Sequence, residues 1–333
     1  MTRRELLRIV SCSLFLTALM IGAALVSAPA LAAEPSSTPR IGVLVPVLAN
    51  SPLEQGLREG LSQLGYIEGK NIVIEWRRYA PADQDLVLVA TDLAQSNVDL
   101  IVTVGSPATQ AAVQATTGPV VFTVVGDPVA TGFAASLARP GGHATGVSTL
   151  APELMAKRLE LLHQMVPWAR RILYLMNSSN PVGPRLLEAV KKAAQTLRIE
   201  LITLDVRNSD ELNRALRAMP RSGAQGILVT GERIFLTDKA KVAEAIRQAK
   251  LPAIVPAREY HDAGVLMSYG PNLKEAMRRA AAYVDKILKG ANPGDLPIEQ
   301  VSTYELIIDL PAARALGLKV PQDLLLRADE VIR

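Results

Sequence analysis

Short apolar runs, separated by stretches with helical spacing, set the strongest limit on how this chain can fold. Arg40–Pro46 (RIGVLVP), Ile72–Trp76, Leu100–Val104 and Val120–Val125 recur at intervals of roughly thirty residues. The first is apolar on both faces, as a strand covered by helices on both sides is. After it, Ser51 stands as an N-cap and Pro52 as a first-turn proline. Leu53, Leu57, Leu61 and Leu64 follow at helical intervals, and Gly65 stands where a helix stops. The spacing predicts further helices over 83–95 and 108–114. The order is βαβαβαβ, that of a parallel, doubly wound sheet.

The pattern restarts near residue 150. Helical spacing covers 152–165, 185–197, 209–219 and 238–250, and strands are expected at 171–176, 200–206, 226–230 and 252–256. A strand at 265–269 follows. Asn272 and Glu275 then have capping-box spacing at the head of a long helix that ends at Gly290. An extended tail carries one more strand at 305–310 and short helices at 312–316 and near 322–328. The two α/β sets lie in tandem without sequence repetition, and 333 residues suit two lobes of about 150 each. Aromatics make up only 4% of the chain, so Ala, Val, Leu and Ile must carry both cores.

The first 33 residues stand apart from this pattern. Thr2–Arg8 is basic, Ile9–Val26 is apolar, and Ala30-Leu31-Ala32 is the small-x-small motif that signal peptidase reads. A cleavable signal peptide over residues 1–33 is expected, with an uncleaved anchor as the competing reading. Cys12 is the only cysteine, so the exported protein would have no disulfide, thiolate metal site or cysteine nucleophile. Three Arg and one Glu leave with residues 1–32, which takes the net charge from +4 to +2. That balance gives no case for nucleic-acid or membrane-surface binding.

Several strand ends share one chemistry: a glycine or proline, a small hydroxyl or amide residue, then a helix start. They are Asn50-Ser51, Gly105-Ser106-Pro107, Gly126-Asp127-Pro128 and Asn177–Asn180 with Ser179 between. Helix starts expose unpaired N–H groups and favour anions. At any single loop the competing role is ordinary N-capping. Recurrence across two lobes favours a polar ligand cleft. Asp127 suits a ligand ammonium or hydroxyl, and its other reading is a turn Asp ahead of proline. Glu232, Glu259 and Tyr260 stand at second-lobe strand ends. The Tyr260 ring could stack on a ligand or fill the core.

Catalytic motifs are missing. No Gly-x-Gly-x-x-Gly follows the first strand, and there is neither a phosphate loop nor a Gly-x-Ser-x-Gly elbow. His143, His163 and His261 stand at unrelated places without metal partners at i+3 or i+4. No catalytic residue, metal or cofactor is therefore expected.

The stretches LSQLGYIEGKNIVIEWR (61–77), VVGDPVATGFAASLARPGGHATGVS (124–148), APELMAKRLELL (151–162), 264–300 and 305–332 resemble the substrate-binding proteins of ABC transporters. The resemblance is to the bacterial family related to tryptophan/tyrosine-binding proteins. It implies a type I periplasmic-binding-protein fold: two αβα lobes with parallel sheets, three crossings and a ligand cleft between the lobes. The first lobe would take 40–148 with 264–300, and the second 152–262 with 305–333. The crossings would fall in 148–152, near 260–264 and near 302–305. The implied role is a periplasmic, monomeric, non-enzymatic protein that captures a small polar molecule, such as an amino acid, and delivers it to an inner-membrane ABC permease. Ligand contacts would come from Asn50, Ser51, Gly105, Ser106, Gly126, Asp127, Asn177, Ser179, Asn180, Glu232 and Tyr260. In amino-acid-binding relatives small hydroxyls and helix starts hold the carboxylate, and an acidic group holds the ammonium. Ser106, Asn177, Ser179 and Asn180 fit the first role here and Asp127 the second. The same fold could instead sense a ligand for a membrane receptor, or carry an exported enzyme.

Overall fold

The computed structural model describes residues 38–47, 51–79, 85–301 and 303–333. The expected signal segment, Asn50 of the candidate site and Ser302 at the expected third crossing lie outside them. In chain order the first elements are β1 (Arg40–Pro46), α1 (Pro52–Gln63), β2 (Val73–Tyr79), α2 (Leu86–Gln95), β3 (Leu100–Val104), α3 (Ser106–Ala115), β4 (Val120–Val125) and β5 (Ala144–Ser148). Then come α4 (Ala151–Met165), β6 (Arg171–Met176), α5 (Gly183–Leu197), β7 (Glu200–Asp205), α6 (Ser209–Ala218), β8 (Gly226–Val229), α7 (Arg233–Thr237), α8 (Lys239–Gln248) and β9 (Ala253–Val255). The chain finishes with β10 (Met267–Pro271), α9 (Leu273–Leu288), β11 (Glu299–Gln300), β12 (Tyr304–Asp309), α10 (Leu310–Ala315), α11 (Gln322–Arg327) and β13 (Glu330–Ile332).

The strands form two sheets. The first runs β11-β5-β4-β3-β1-β2 and is parallel throughout. The second runs β13-β12-β10-β9-β8-β6-β7 and is parallel except where β10 meets β12. Alternate strand residues face opposite sides, so each sheet carries two cores. On the first sheet Ile41, Val43 and Val102 pack against Leu53 and Leu57 of α1 and Met277 and Val284 of α9. Leu44, Ile101 and Phe122 face the other way, onto Ala90 and Leu93 of α2 and Ala108 and Ala112 of α3. The second sheet repeats the plan. Ile172, Tyr174 and Leu228 meet α4 and α5, whereas Leu173, Leu175 and Val229 meet α6 and α8. Two αβα lobes of the type I periplasmic-binding-protein class result.

One strand sits elsewhere than expected. The strand expected at 265–269, grouped with the first lobe, is β10 and belongs to the second sheet. Met267 and Ser268 pair with Ile254 and Val255, and the whole strand pairs with β12. The rest of that segment, α9 and the short β11, does lie with the first sheet. The second passage between sheets therefore lies at Pro271-Asn272 rather than near 260–264, where the chain forms a short 3-10 turn, Arg258–Ala263. A short strand such as Met267–Pro271 gives no local sign of which of two sheets will take it. The other passages run from β5 into α4 and from β11 into β12.

The α1–α9 contact depends on small residues. A Cβ placed on Gly56 would stand 2.1 Å from the Lys274 carbonyl oxygen, and one on Gly60 would stand 2.5 Å from that of Arg278. The two helices touch backbone to backbone, with no room for a methyl group.

Candidate functional site

Parallel sheets place their loops at the carboxyl ends of the strands, and ligands bind in the crevices there. Here the carboxyl ends of β1, β3 and β4 confront those of β6, β8 and β9 across a cavity of about 370 Å³. The first lobe supplies Pro46, the Val104–Pro107 corner, Val124 and Gly126. The second supplies Asn177, Ser179, Asn180, Glu232 and Arg233. Val124 lies at a register shift of β4 against β5 with φ 57°, a conformation that a β-branched residue rarely adopts. The bend brings Val124 and Gly126 to the wall.

Ser106 begins α3 and is buried, and its Oγ accepts a 3.4 Å hydrogen bond from the Gly126 N–H. Gly105, with φ 83°, holds the N-cap position of α3 without a side-chain cap. In the second lobe the start of α5 also lacks a side-chain cap at Val182. Asn180 accepts from the Val182 N–H at 3.1 Å and donates from Nδ2 to both carboxylate oxygens of Glu232, at 3.0 and 2.9 Å. Glu232 is 4% exposed. Burial pushes its carboxyl up to about 7, against the opposing pull of the Asn180 hydrogen bond and the Arg233 charge.

Arg158 projects from α4 into the base of the cavity and is also 4% exposed. Its Nε donates to the Tyr269 carbonyl at 2.6 Å and Nη1 to Met155 Sδ at 3.1 Å. Among the described residues no carboxylate forms an ion pair with it. Burial lowers its pKa to about 10, with only tyrosines offsetting the loss of water. Arg207 reaches the wall already bound to Glu211 at 2.6 Å. The Arg233 guanidinium lies 4.7 Å from the centroid of the Tyr79 ring, which links the two lobes across the cavity.

Of the residues expected from sequence, Gly105, Ser106, Gly126, Asn177, Ser179, Asn180 and Glu232 reach the cavity wall. Three others have different roles. Ser51 caps α1, its Oγ accepting from the Glu54 N–H at 3.3 Å, away from the wall. Asp127 caps a turn: its Oδ1 accepts from the Ala130 N–H at 2.9 Å, the competing reading of an Asp ahead of proline. Tyr260 is fully buried in the second-lobe core, so its ring cannot stack on a ligand in the cavity.

Sequence reasoning missed Arg158, Tyr79 and Arg233. For Arg158 a signal was present. Met155, Leu159 and Leu162 form the inward stripe of α4, and Arg158 falls on it at helical spacing. A charged residue on an apolar stripe is a buried charge in need of a partner.

A family model described as ABC transporter substrate binding protein matches residues 40–332. The tyrosine-binding protein of Clostridioides difficile is 25% identical over 268 residues, which span 80% of this chain and 76% of that protein. A conserved domain protein from Vibrio cholerae has a solved structure with a TM-score of 0.82 and 29% identity, covering 89% of this chain and 100% of that one. The structure of an ABC domain in complex with L-Trp from Streptococcus pneumonia gives a TM-score of 0.81 at 26% identity, again over 89% and 100%.

Proposed function

The chain belongs to the family of ABC transporter substrate-binding proteins, and from that membership we propose that it is exported, captures a small organic solute between its lobes and delivers it to a membrane permease. Members of such families work outside the cytoplasm, and the basic, apolar, small-residue N-terminus fits a periplasmic destination. One observation carries the reading: a cavity of about 370 Å³ is walled by strand ends of both lobes and holds the buried polar groups Ser106, Asn180, Glu232 and Arg158. Its volume is of the size that small ligands occupy. A solute gripped by both walls would favour the closed arrangement, and a permease can then distinguish loaded from empty protein. The two relatives named for tyrosine or solved with L-Trp make amino acids the first class to try.

The test is a thermal-shift screen of the purified protein against amino acids, small amides, sugars and carboxylates, followed by small-angle X-ray scattering with each hit. A solute at a hundred times its Kd adds about 2.7 kcal/mol to the native state and raises the midpoint. The radius of gyration should fall as the lobes close. A protein that no solute class stabilises, or one that turns its hit over into product, is not a solute-capture protein.

A further inference from the structure

The geometry points to an organic carboxylate with an apolar body and no ammonium group as the ligand of this cleft, its carboxylate seated against Arg158. This narrows the solute-capture reading and rests on it.

The charges on the wall are unbalanced. Arg158, Arg207 and Arg233 line the cavity, and among the described residues Glu232 is the only acidic side chain that does so. Arg207 is paired with Glu211, and Arg233 packs on Tyr79. Arg158 differs from both. It is buried, it lines the cavity, and among the described residues no carboxylate pairs with it. Its electrostatic neighbours are Tyr174, Tyr260, Tyr269 and Tyr304, none of them acidic at neutral pH. A buried charge is ordinarily paired, because the loss of water is otherwise uncompensated. Its Nε and Nη1 donate to a backbone carbonyl and a thioether. A planar guanidinium in that position suits a carboxylate better than any neutral group. The uncapped starts of α3 and α5, one in each lobe, add partial positive charge to the same cavity.

Among the described residues the opposite charge is not provided for. A zwitterion needs an acceptor for its ammonium, and Asp127 is turned to the Ala130 N–H away from the wall. Glu232 is at the wall, but it is 4% exposed and both of its oxygens already accept from the neutral Asn180 amide. Burial also favours its protonated form near neutral pH. The remaining lining is largely aliphatic: Leu53, Val104, Val124, Leu154, Val182 and Leu186. Tyr79, the one aromatic ring among the described lining residues, has the Arg233 guanidinium over it. An apolar chain with one carboxylate matches this wall, whereas an amino acid leaves its ammonium without a carboxylate.

The test compares molecules that differ only in charge. Isothermal titration of the purified protein would use hexanoate against norleucine, and 3-phenylpropanoate against phenylalanine, with the methyl ester of each desamino acid. The desamino acid of each pair should bind at least about tenfold more tightly than its amino acid, and its ester at least about thirtyfold more weakly. Arg158→Met should lose a similar factor for the carboxylate, and Arg158→Lys less. Should Arg158→Met fail to fold by circular dichroism, the paired comparison on the parent protein decides alone. Tighter binding of either amino acid than of its desamino partner overturns the proposal and leaves solute capture standing. Parental affinity in a folded Arg158→Met overturns the seat. If all carboxylates fail while amides or sugars still raise the melting midpoint, the ligand class is wrong and the capture role holds. Failure of every class removes both.

Discussion

Glu232 is the residue at which site chemistry and folding free energy meet. Its carboxyl is enclosed, held by one neutral amide, and shifted from 4.5 to about 7. The folded pKa lies above the unfolded one, so folding favours the protonated form. That contribution is fully present below about pH 4.5 and is lost as the pH rises through 7. The span corresponds to about 3 kcal/mol. Glu232→Gln, which cannot ionise, should therefore gain stability relative to the parent as pH climbs from 5 to 8, by up to about 3 kcal/mol. Urea midpoints measured across that range give the difference directly, and a difference that stays flat with pH removes the argument. Glu232 could be proposed from sequence because a strand-end carboxylate before a helix is visible there. Asp127, by the same signal, is the stronger candidate in the sequence. Only the structure tells the two apart, because whether a short acidic side chain faces a cleft or closes its own turn depends on the direction in which the loop leaves the sheet.

At the scale of elements, the first lobe depends on how closely α1 and α9 approach. These helices come from opposite ends of the chain and join at Gly56 and Gly60. Gly56→Ala should destabilise the protein by about 1–2 kcal/mol, because overpacking costs about 1–3 and outweighs the helix propensity gained, about 1. Chemical denaturation measures it, and a variant more stable than the parent would show that the helices do not touch there. Strands β1 to β4 and most helices were legible, because short apolar runs bounded by turn residues and period-3.6 patterns are local signals. What was not legible is pairing. The β10 strand carries no local mark of its sheet, and its place in the second sheet is decided by Ile254, Val255 and the antiparallel partner β12. The two-residue β11 and three-residue β13 are too short to leave any periodicity. Arg158, by contrast, could have been read from the stripe it interrupts.

For the whole molecule the question is what permits the lobes to meet. Gly126 ends β4 in the first lobe, and its carbonyl accepts from the Ala151 N–H at 3.1 Å, at the start of α4 just past the first passage between sheets. A Cβ at Gly126 would stand 2.9 Å from Ala151 Cβ and 3.1 Å from Val182 Cγ2, both in the second lobe. The glycine is needed for approach rather than for backbone freedom, since its φ is not in the left-handed region. The first passage itself runs through Leu150, which does lie there, at φ 48°. Gly126→Val therefore acts on the distance between lobes and leaves each lobe's own core intact. Its branched methyls would need the space that Val182 takes in this arrangement. Relief comes from opening the cleft, so the overpacking cost of about 1–3 kcal/mol falls on the closed form, equivalent to about 5- to 150-fold in affinity. Relief of the clash by opening predicts ligand-free melting near that of the parent. Under saturating ligand, scattering should show a radius of gyration nearer the ligand-free value than the parent's. If Gly126→Val binds as tightly as the parent and compacts as fully, the lobes do not need to meet at this point, and capture proceeds without the contact between Gly126 and Val182.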